Sequence, residues 1–341
     1  MKEALFYEKR GDGSVRCTLC PHYCKIDDGE FGICAVRQNR GGTLYAMSYE
    51  KAIATHIDPI EKKPLFHVYP GSKSFSIATV GCNFSCEFCQ NHDISQATRD
   101  KKGNIPGQPV TASRVVAMAK NSGCKTIACT YTEPTIYYEY AFDIARGAYE
   151  QDVKTVFVSN GYINEEPLRQ IAPFLIAANI DLKGWDEQFY QKIVGGSLKR
   201  VLGSLRLYKS LGIWLEVTTL VVPTLVDRPD SLREIARFIR DELGAETPWH
   251  ITRFYPQYKY SEMEPTPLSV LREAREIGLA EGLRYVYNGN TPGDIGENTY
   301  CYSCGEMLIE RYGFSIIANQ LKGDACPKCG TKLDGVGIDK R

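Results

Sequence analysis

The stretch Phe75-Ser-Ile-Ala-Thr-Val-Gly-Cys-Asn-Phe-Ser-Cys-Glu-Phe-Cys89 carries the cysteine spacing around which the rest of the chain is arranged. Its first six residues predict a short buried strand that leads into a loop. Cys82, Cys86 and Cys89 stand on that loop at a C-x3-C-x2-C spacing. Three thiolates on one loop bind three irons of a cubane [4Fe-4S] cluster and leave the fourth iron open for chemistry. A zinc knuckle completed by His92 is the alternative interpretation.

With Phe88 directly before the third cysteine, this spacing resembles the signature of the radical SAM superfamily. The resemblance implies that the open iron binds S-adenosylmethionine, and that one-electron reduction of its sulfonium yields a 5'-deoxyadenosyl radical. It also implies an α/β fold, a partial, TIM-like (β/α)6 barrel. Two flanking segments sharpen the match, residues 58–64 (Asp-Pro-Ile-Glu-Lys-Lys-Pro) and 89–96 (Cys-Gln-Asn-His-Asp-Ile-Ser-Gln). They resemble the radical SAM family of the AmmeMemoRadiSam system, which is related to pyruvate formate-lyase activating enzymes.

The composition favours no highly charged partner. The 341 residues carry 41 Lys and Arg and 41 Asp and Glu, a formal net charge of zero, so neither nucleic acid nor an anionic membrane is expected as a partner. Residues 1–10 lack the apolar core of a signal peptide. The longest apolar run, residues 171–180, is too short to span a bilayer. We therefore expect a soluble, cytoplasmic protein.

Beyond the cysteine loop, the sequence alternates β-branched runs with amphipathic segments of ten or more residues. This alternation is typical of parallel strands joined by crossover helices. Strands are predicted at 126–130, 155–159, 177–182, 214–222, 249–253 and 285–287. Helices are predicted at 112–122, 138–151, 198–211 and 231–243.

In a parallel β/α barrel, the working residues gather at the carboxyl ends of the strands. Asp181 and Lys183 follow the fourth predicted strand, and two residues apart on an extended segment they project to the same side. A buried ion pair without a catalytic role is the alternative for these two. By resemblance to the activating enzymes, the residues expected to contact the cofactor are Phe88, Thr132, Glu133, Ser159, Asn160, Asp181, Lys183 and His250.

Thirteen cysteines in a reducing compartment favour metal binding over disulfides. Four of them, Cys17, Cys20, Cys24 and Cys34, form a C-x2-C-x3-C-x9-C pattern near the N-terminus. Four soft ligands would stabilise a module too short to have a core of its own. Zinc and an auxiliary iron-sulfur cluster both fit this pattern. His22 lies inside the pattern but is not needed as a ligand.

A second group of four cysteines follows a linker rich in Pro and Gly. Cys301 and Cys304 form one C-x2-C-Gly knuckle, and Cys326 and Cys329 form another. Paired knuckles of this kind predict a zinc ribbon or a rubredoxin-like mononuclear iron site. The sequence thus divides into an N-terminal cysteine-rich module at 1–70, a radical SAM core at 71–290 and a C-terminal ribbon at 291–341.

The substrate is not determined by these patterns. The family resemblance implies Memo-like and AMMECR1-like protein partners, together with a low-potential electron donor such as flavodoxin or ferredoxin. The related activating enzymes imply a second hypothesis, in which a glycine of a glycyl radical enzyme is the substrate. A third hypothesis is a metal-binding scaffold that consumes no S-adenosylmethionine.

Overall fold

A computed structural model describes residues 1–99 and 103–339, so the last two residues of the predicted ribbon lie outside it. The N-terminal part consists of short antiparallel strands in two three-stranded sheets, with orders β1-β6-β5 and β2-β3-β4. Such short strands bury little apolar surface, which fits a module held together by additional ligands. The strands are β1 (Lys2–Glu3), β2 (Tyr7–Lys9), β3 (Val15–Cys17), β4 (Lys25–Ile26), β5 (Arg37–Arg40), β6 (Thr43–Ala46) and β7 (Lys51–Ala52).

An eight-stranded sheet forms the centre of the molecule, with the order β16-β15-β14-β13-β12-β11-β9-β8. Seven of these strands pair in parallel, and β8 pairs antiparallel with β9 at one edge. β10 lies outside this sheet and pairs with β7. The bounds are β8 (Ala54–Pro59), β9 (Lys73–Ala78), β10 (Gln108–Pro109), β11 (Thr126–Cys129), β12 (Lys154–Ser159), β13 (Leu175–Asp181), β14 (Trp214–Val221), β15 (Trp249–Arg253) and β16 (Val286–Gly289).

Helices connect each parallel strand to the next, which gives six β/α units followed by β16. The predicted partial (β/α)6 barrel is therefore confirmed, and each of the predicted strands and helices lies within about two residues of an observed element or its π-helical continuation. The helices are α1 (His92–Ser95), α2 (Ala112–Asn121), α3 (Tyr138–Glu150), α4 (Glu165–Ile171), α5 (Glu187–Phe189), α6 (Leu198–Ser210), α7 (Pro229–Phe238) and α8 (Leu268–Ala280). Two π-helical segments extend α5 and α7, at Tyr190–Val194 and Ile239–Leu243.

The C-terminal part is a three-stranded antiparallel sheet that packs against the segment between β8 and β9. Its strands are β17 (Thr299–Tyr300), β18 (Met307–Tyr312) and β19 (Ser315–Asn319). The Val336 amide donates to the carbonyl of His67, and the Tyr69 amide donates to the carbonyl of Val336. The C-terminal part thus contacts His67 and Tyr69, which the predicted boundaries place in the N-terminal module. Within the described residues, no helix has the length and apolar character needed to cross a membrane.

Candidate metal and cofactor site

The cysteine loop follows β9 directly and is fixed by neighbouring elements on two sides. The Ser85 and Glu87 amides donate to the carbonyls of Val194 and Ile193, at 2.8 and 3.2 Å, on the π-helical segment after α5. At the start of the loop, Gly81 has a φ of +101°, and a Cβ there would lie 3.1 Å from the carbonyl oxygen of Cys34. The loop therefore requires glycine where it passes the N-terminal module.

The aromatic residues of the loop are buried. Phe84 and Phe88 are only 1% and 2% exposed. Phe88 stacks on Phe189, with 5.9 Å between the ring centroids, and Phe84 packs against Tyr162 at 4.9 Å. These contacts anchor the loop that carries the three cysteines to α5 and to the segment after β12.

Cys82, Cys86 and Cys89 all line one cavity of about 350 Å³ at the carboxyl end of the parallel sheet. Burial raises the pKa of Cys86 to about 12, although the nearby Lys183 ammonium opposes this effect. Buried thiols become thiolates when a metal replaces their protons. Three cysteines on one loop, facing a cavity of ligand size, fit a site-differentiated [4Fe-4S] cluster. The ring of His92 stacks on Tyr258 instead, at 4.8 Å between centroids.

Most of the predicted cofactor contacts share this cavity with the three cysteines. They come from the ends of four different strands, which explains why the sequence places them so far apart. Those lining the cavity are Phe88, Thr132, Ser159, Asn160, Asp181 and Lys183. The sheet thus brings together six of the eight residues expected to contact the cofactor.

Glu133 does not line the cavity, although the resemblance implies a cofactor contact. Its side chain is fully buried, and its carboxylate accepts hydrogen bonds from the backbone and hydroxyl of Thr135, at 2.9 and 2.6 Å. It also accepts from the Ser159 hydroxyl and the Asn160 amide, both at 2.8 Å. Glu133 therefore positions two cavity residues without lining the cavity itself.

Asn160 connects the third strand end to the cysteine loop. Its side-chain amide donates to Oδ1 of Asn83 at 2.8 Å and lies 3.7 Å from the sulfur of Cys82. Asn83 in turn donates to the carbonyl of Tyr162 at 2.9 Å. The first cysteine of the loop is thereby held against the end of β12.

Asp181 and Lys183 form an ion pair at the cavity wall. The Lys183 ammonium lies 2.9 Å from a carboxylate oxygen of Asp181, and the Lys183 amide donates to the hydroxyl of Tyr190. Burial lowers the pKa of Lys183, but the charges of Asp181 and of an ionised Cys86 outweigh burial and raise it. A permanent cation therefore faces the cavity beside the loop.

His250 is not among the cavity-lining residues. It lies on β15 two residues before Thr252, which does line the cavity, so both face the barrel interior with His250 one layer deeper. His250 Nε2 lies 2.6 Å from the Glu216 carboxylate, and its ring stacks on Tyr287. Glu216 also accepts from the Phe66 and His67 amides, at 3.0 and 2.9 Å. This polar cluster fills the barrel beneath the cavity.

The sequence leaves open whether the lysines of the motif at residues 58–64 contact substrate or cofactor or belong to a surface loop, and it does not single out Tyr131 or Phe314 of the cavity wall. Lys62 lines it, pairing with Asp58 at 3.0 Å, and Tyr131 lines it with its hydroxyl hydrogen-bonded to the same carboxylate. The motif at residues 58–64 contained a signal for Lys62. Phe314, from the C-terminal ribbon, also reaches the cavity, and only tertiary packing brings it there.

The two terminal cysteine groups lie apart from this cavity. Cys301, Cys304, Cys326 and Cys329 converge, and their sulfurs all lie within 4.8 Å of one another. Two of the sulfur pairs are separated by 3.5 and 3.7 Å. This group therefore has the geometry of a metal site. The N-terminal four line a second, smaller cavity beside the cysteine loop.

Comparisons with known proteins agree with this geometry. Residues 76–239 match the model of the radical SAM superfamily. The chain is 48% identical over 336 residues to the uncharacterized protein MJ0808 of Methanocaldococcus jannaschii, covering 98% of this chain and 99% of that protein. It is 23% identical over 212 residues to a putative glycyl-radical enzyme activating enzyme of the same organism, MJ1632, covering 61% of this chain and 78% of that protein.

Among solved structures, a radical SAM methyltransferase from Sphaerobacter thermophilus superimposes with a TM-score of 0.52 at 16% sequence identity. The alignment covers 70% of this chain and 71% of that protein. At such low identity the likeness supports the fold and not the reaction. Together with the matched superfamily model and the cysteine loop at the end of the parallel sheet, it shows that this chain is a member of the radical SAM superfamily.

Proposed function

We propose that this enzyme uses a [4Fe-4S] cluster at Cys82, Cys86 and Cys89 to cleave S-adenosylmethionine reductively, and that the radical formed abstracts hydrogen from a substrate of the AmmeMemoRadiSam system. The observation that carries the proposal is that the three loop cysteines and the polar strand ends line one cavity. When bound, cluster and cofactor together would supply a 5'-deoxyadenosyl radical. A low-potential carrier such as flavodoxin or ferredoxin would deliver the electron in the cytoplasm.

The charged, polar and apolar residues of the cavity have different roles in binding the cofactor. Lys183 presents a partly buried ammonium, which suits the carboxylate of the cofactor. Glu133 accepts from the Ser159 hydroxyl and the Asn160 backbone amide and so holds both residues in place, while the Asn160 side-chain amide lies beside the sulfur of Cys82. The aromatic and apolar walls, including Phe88 and Leu220, exclude water from the radical.

The test is anaerobic reconstitution with iron and sulfide, followed by measurement of 5'-deoxyadenosine with dithionite as reductant. We expect product from the unaltered chain and none from Cys86→Ala, because that variant removes one iron ligand from a loop outside the sheet. Cys124→Ala, which alters a buried cysteine away from the cavity, is the matched control and should remain active. Turnover by Cys86→Ala would refute the proposed site. No product from a fully loaded chain would favour the scaffold hypothesis.

Glycyl radical enzyme activation is the second candidate, supported by the similarity to MJ1632. To separate the two, the reconstituted enzyme is incubated with a glycyl radical enzyme or with Memo-like and AMMECR1-like proteins. A glycyl radical signal in the electron paramagnetic resonance spectrum would favour activation. Product formation stimulated only by the Memo-like or AMMECR1-like protein would favour the first candidate.

We also propose zinc for the four C-terminal cysteines. Tetrahedral coordination at a zinc-sulfur distance of about 2.3 Å places sulfurs roughly 3.8 Å apart, close to the observed 3.5 and 3.7 Å. A mononuclear iron site would have similar geometry, so elemental analysis of this site decides between the two metals.

A further inference from the structure

The four N-terminal cysteines surround a space rather than a point. Cys17, Cys20, Cys24 and Cys34 line a cavity whose other walls include Ile26, Ile33 and Ile136. The centre of a water molecule has about 20 Å³ available inside it, which exceeds what one water needs. The four thiols therefore surround a space with room for about one water, and its walls combine apolar side chains with Arg37 and Asn83.

A single zinc ion does not need such a space. When four thiolates bind one zinc at about 2.3 Å, their sulfurs meet around the ion and leave no room for a water at the centre. The C-terminal cysteines have this compact arrangement, with all four sulfurs within 4.8 Å of one another. Among the described residues, the sulfurs of the four N-terminal cysteines do not all lie within 4.8 Å of one another. In a cubane each thiolate binds a different iron, which keeps the sulfurs further apart.

A buried cation faces the same cavity. Arg37 lines it and is 2% exposed. Two of its nitrogens pair with the Glu139 carboxylate, each at 3.0 Å. Its Nε is buried and has no hydrogen-bond partner within the described part of the chain. An unpaired buried N–H is costly unless an acceptor is bound, and a sulfide or thiolate of a bound cluster would be such an acceptor.

The N-terminal cavity also adjoins the catalytic loop. His22 Nε2 lies 2.8 Å from the carbonyl oxygen of Asn83, the residue after Cys82, and Asn83 lines the N-terminal cavity. Gly81 passes close to the carbonyl of Cys34. The two groups of cysteines are therefore connected by one hydrogen bond and a close backbone contact.

We propose that Cys17, Cys20, Cys24 and Cys34 bind a second [4Fe-4S] cluster instead of zinc. Four cysteines ligate all four irons, so this cluster has no open position for S-adenosylmethionine and acts as an electron carrier. It takes one electron from the low-potential carrier and gives one electron to the loop cluster, without making or breaking a bond. The electron-transfer role rests on the proposed function, whereas the identity of the metal site does not.

The test uses the full chain with Cys82→Ala, Cys86→Ala and Cys89→Ala combined, reconstituted anaerobically with iron, sulfide and zinc all present. About four irons, about four sulfides and about one zinc per chain are expected, with a [4Fe-4S] Mössbauer spectrum and a paramagnetic signal after reduction. About two zincs and no iron would overturn the proposal.

The unaltered chain provides a second measurement in case the triple variant does not fold. About eight irons are expected per chain, and about four would contradict the second cluster. Cys124→Ala, which leaves all three groups intact, serves as the control for both counts. A chain with four irons that still forms 5'-deoxyadenosine would refute this inference and leave the proposed function standing. Eight irons without product would do the reverse.

Discussion

At the residue scale, the ion pair of Lys183 and Asp181 links the cavity to the cysteine loop. Lys183 is 16% exposed in its side chain and Asp181 is 34% exposed, so water screens the pair only in part. The Asp181 carboxylate fixes the ammonium, while the Tyr190 hydroxyl accepts from the Lys183 backbone amide. The Lys183 ammonium is therefore already positioned before a ligand binds. Binding then loses less side-chain conformational entropy.

We predict that Lys183→Ala weakens S-adenosylmethionine binding about 10- to 100-fold, since a hydrogen bond to a charged group contributes roughly 1.5–3 kcal/mol. Calorimetric titration of the reconstituted protein measures the affinity, and iron analysis checks that the cluster is retained. Lys192→Ala, on the exposed side of the same region, is the matched control and should bind normally. Equal affinities in the two variants would show that Lys183 does not contact the cofactor.

At the element scale, the π-helical segment Tyr190–Val194 and the turn after it support the cysteine loop. Gly195 and Gly196 follow the segment, and both face the loop. A Cβ at Gly196 would lie 2.3 Å from Cε1 of Phe84, and one at Gly195 would lie 2.4 Å from Oγ of Ser85. Two elements far apart in sequence thus touch where no side chain fits between them.

Gly196→Ala should therefore displace Phe84 and loosen the loop. Overpacking of this kind costs about 1–3 kcal/mol, and we expect a lower melting temperature and fewer irons per chain after reconstitution. Gly203→Ala is the control, because a Cβ on that residue of α6 meets nothing within 4 Å and alanine favours a helix. Normal iron loading of Gly196→Ala would contradict a supporting role for this turn.

The elements also show what the sequence can and cannot predict. The spacing of Cys82, Cys86 and Cys89 and the alternation of strands and helices are local patterns, and they placed the site at the correct end of the sheet. Glu133 follows β11 and His250 lies near the start of β15, but the Glu133 carboxylate is saturated by Ser159 and Asn160, and the His250 ring pairs with Glu216 one layer beneath the cavity. These contacts depend on which strands lie side by side, so the sequence of one strand alone does not predict them.

At the scale of the whole molecule, the C-terminal ribbon packs against the barrel and reaches the cavity. Arg311 donates to the carbonyl of Phe66 at 3.2 Å and lies over its ring, 4.2 Å from the centroid. Arg284 pairs with Asp334 at 2.9 Å. Phe314 extends from the ribbon to the cavity wall. The ribbon, with its four converging cysteines, therefore contributes Phe314 to the cavity of the proposed site.

Cys326→Ala should release about one metal ion per chain and destabilise the ribbon, because a structural metal site contributes folding energy directly. Elemental analysis measures the metal, and limited proteolysis measures exposure of residues 291–339, which we expect to be cleaved faster. The loop cluster should keep its irons, since the ribbon supplies none of its cysteines. Full metal occupancy with an unchanged melting curve would show that these four cysteines are not a structural site.

The interface between the ribbon and the barrel should also lose stability at low pH, because His67 lies in it. Burial lowers the pKa of His67 from 6.5 to about 4, and its ring nitrogens lie 2.6 Å from the carbonyl of Asp334 and 2.6 Å from the hydroxyl of Tyr287. A neutral ring donates to the first and accepts from the second. A second ring proton would disrupt this arrangement.

Because the unfolded chain binds this proton more readily than the folded one, stability is full above about pH 6.5 and falls as the pH drops towards 4. Lowering the pH from 7 to 5 should cost about 2 kcal/mol through this group. We expect His67→Gln to be less stable at pH 7 but to lose less stability on acidification, as measured by denaturant unfolding at both pH values. His56→Gln changes an exposed residue of β8. This control should lose as much stability between pH 7 and pH 5 as the unaltered chain does. If His67→Gln lost as much stability between pH 7 and pH 5 as that control, the loss would have to arise outside the interface between the ribbon and the barrel.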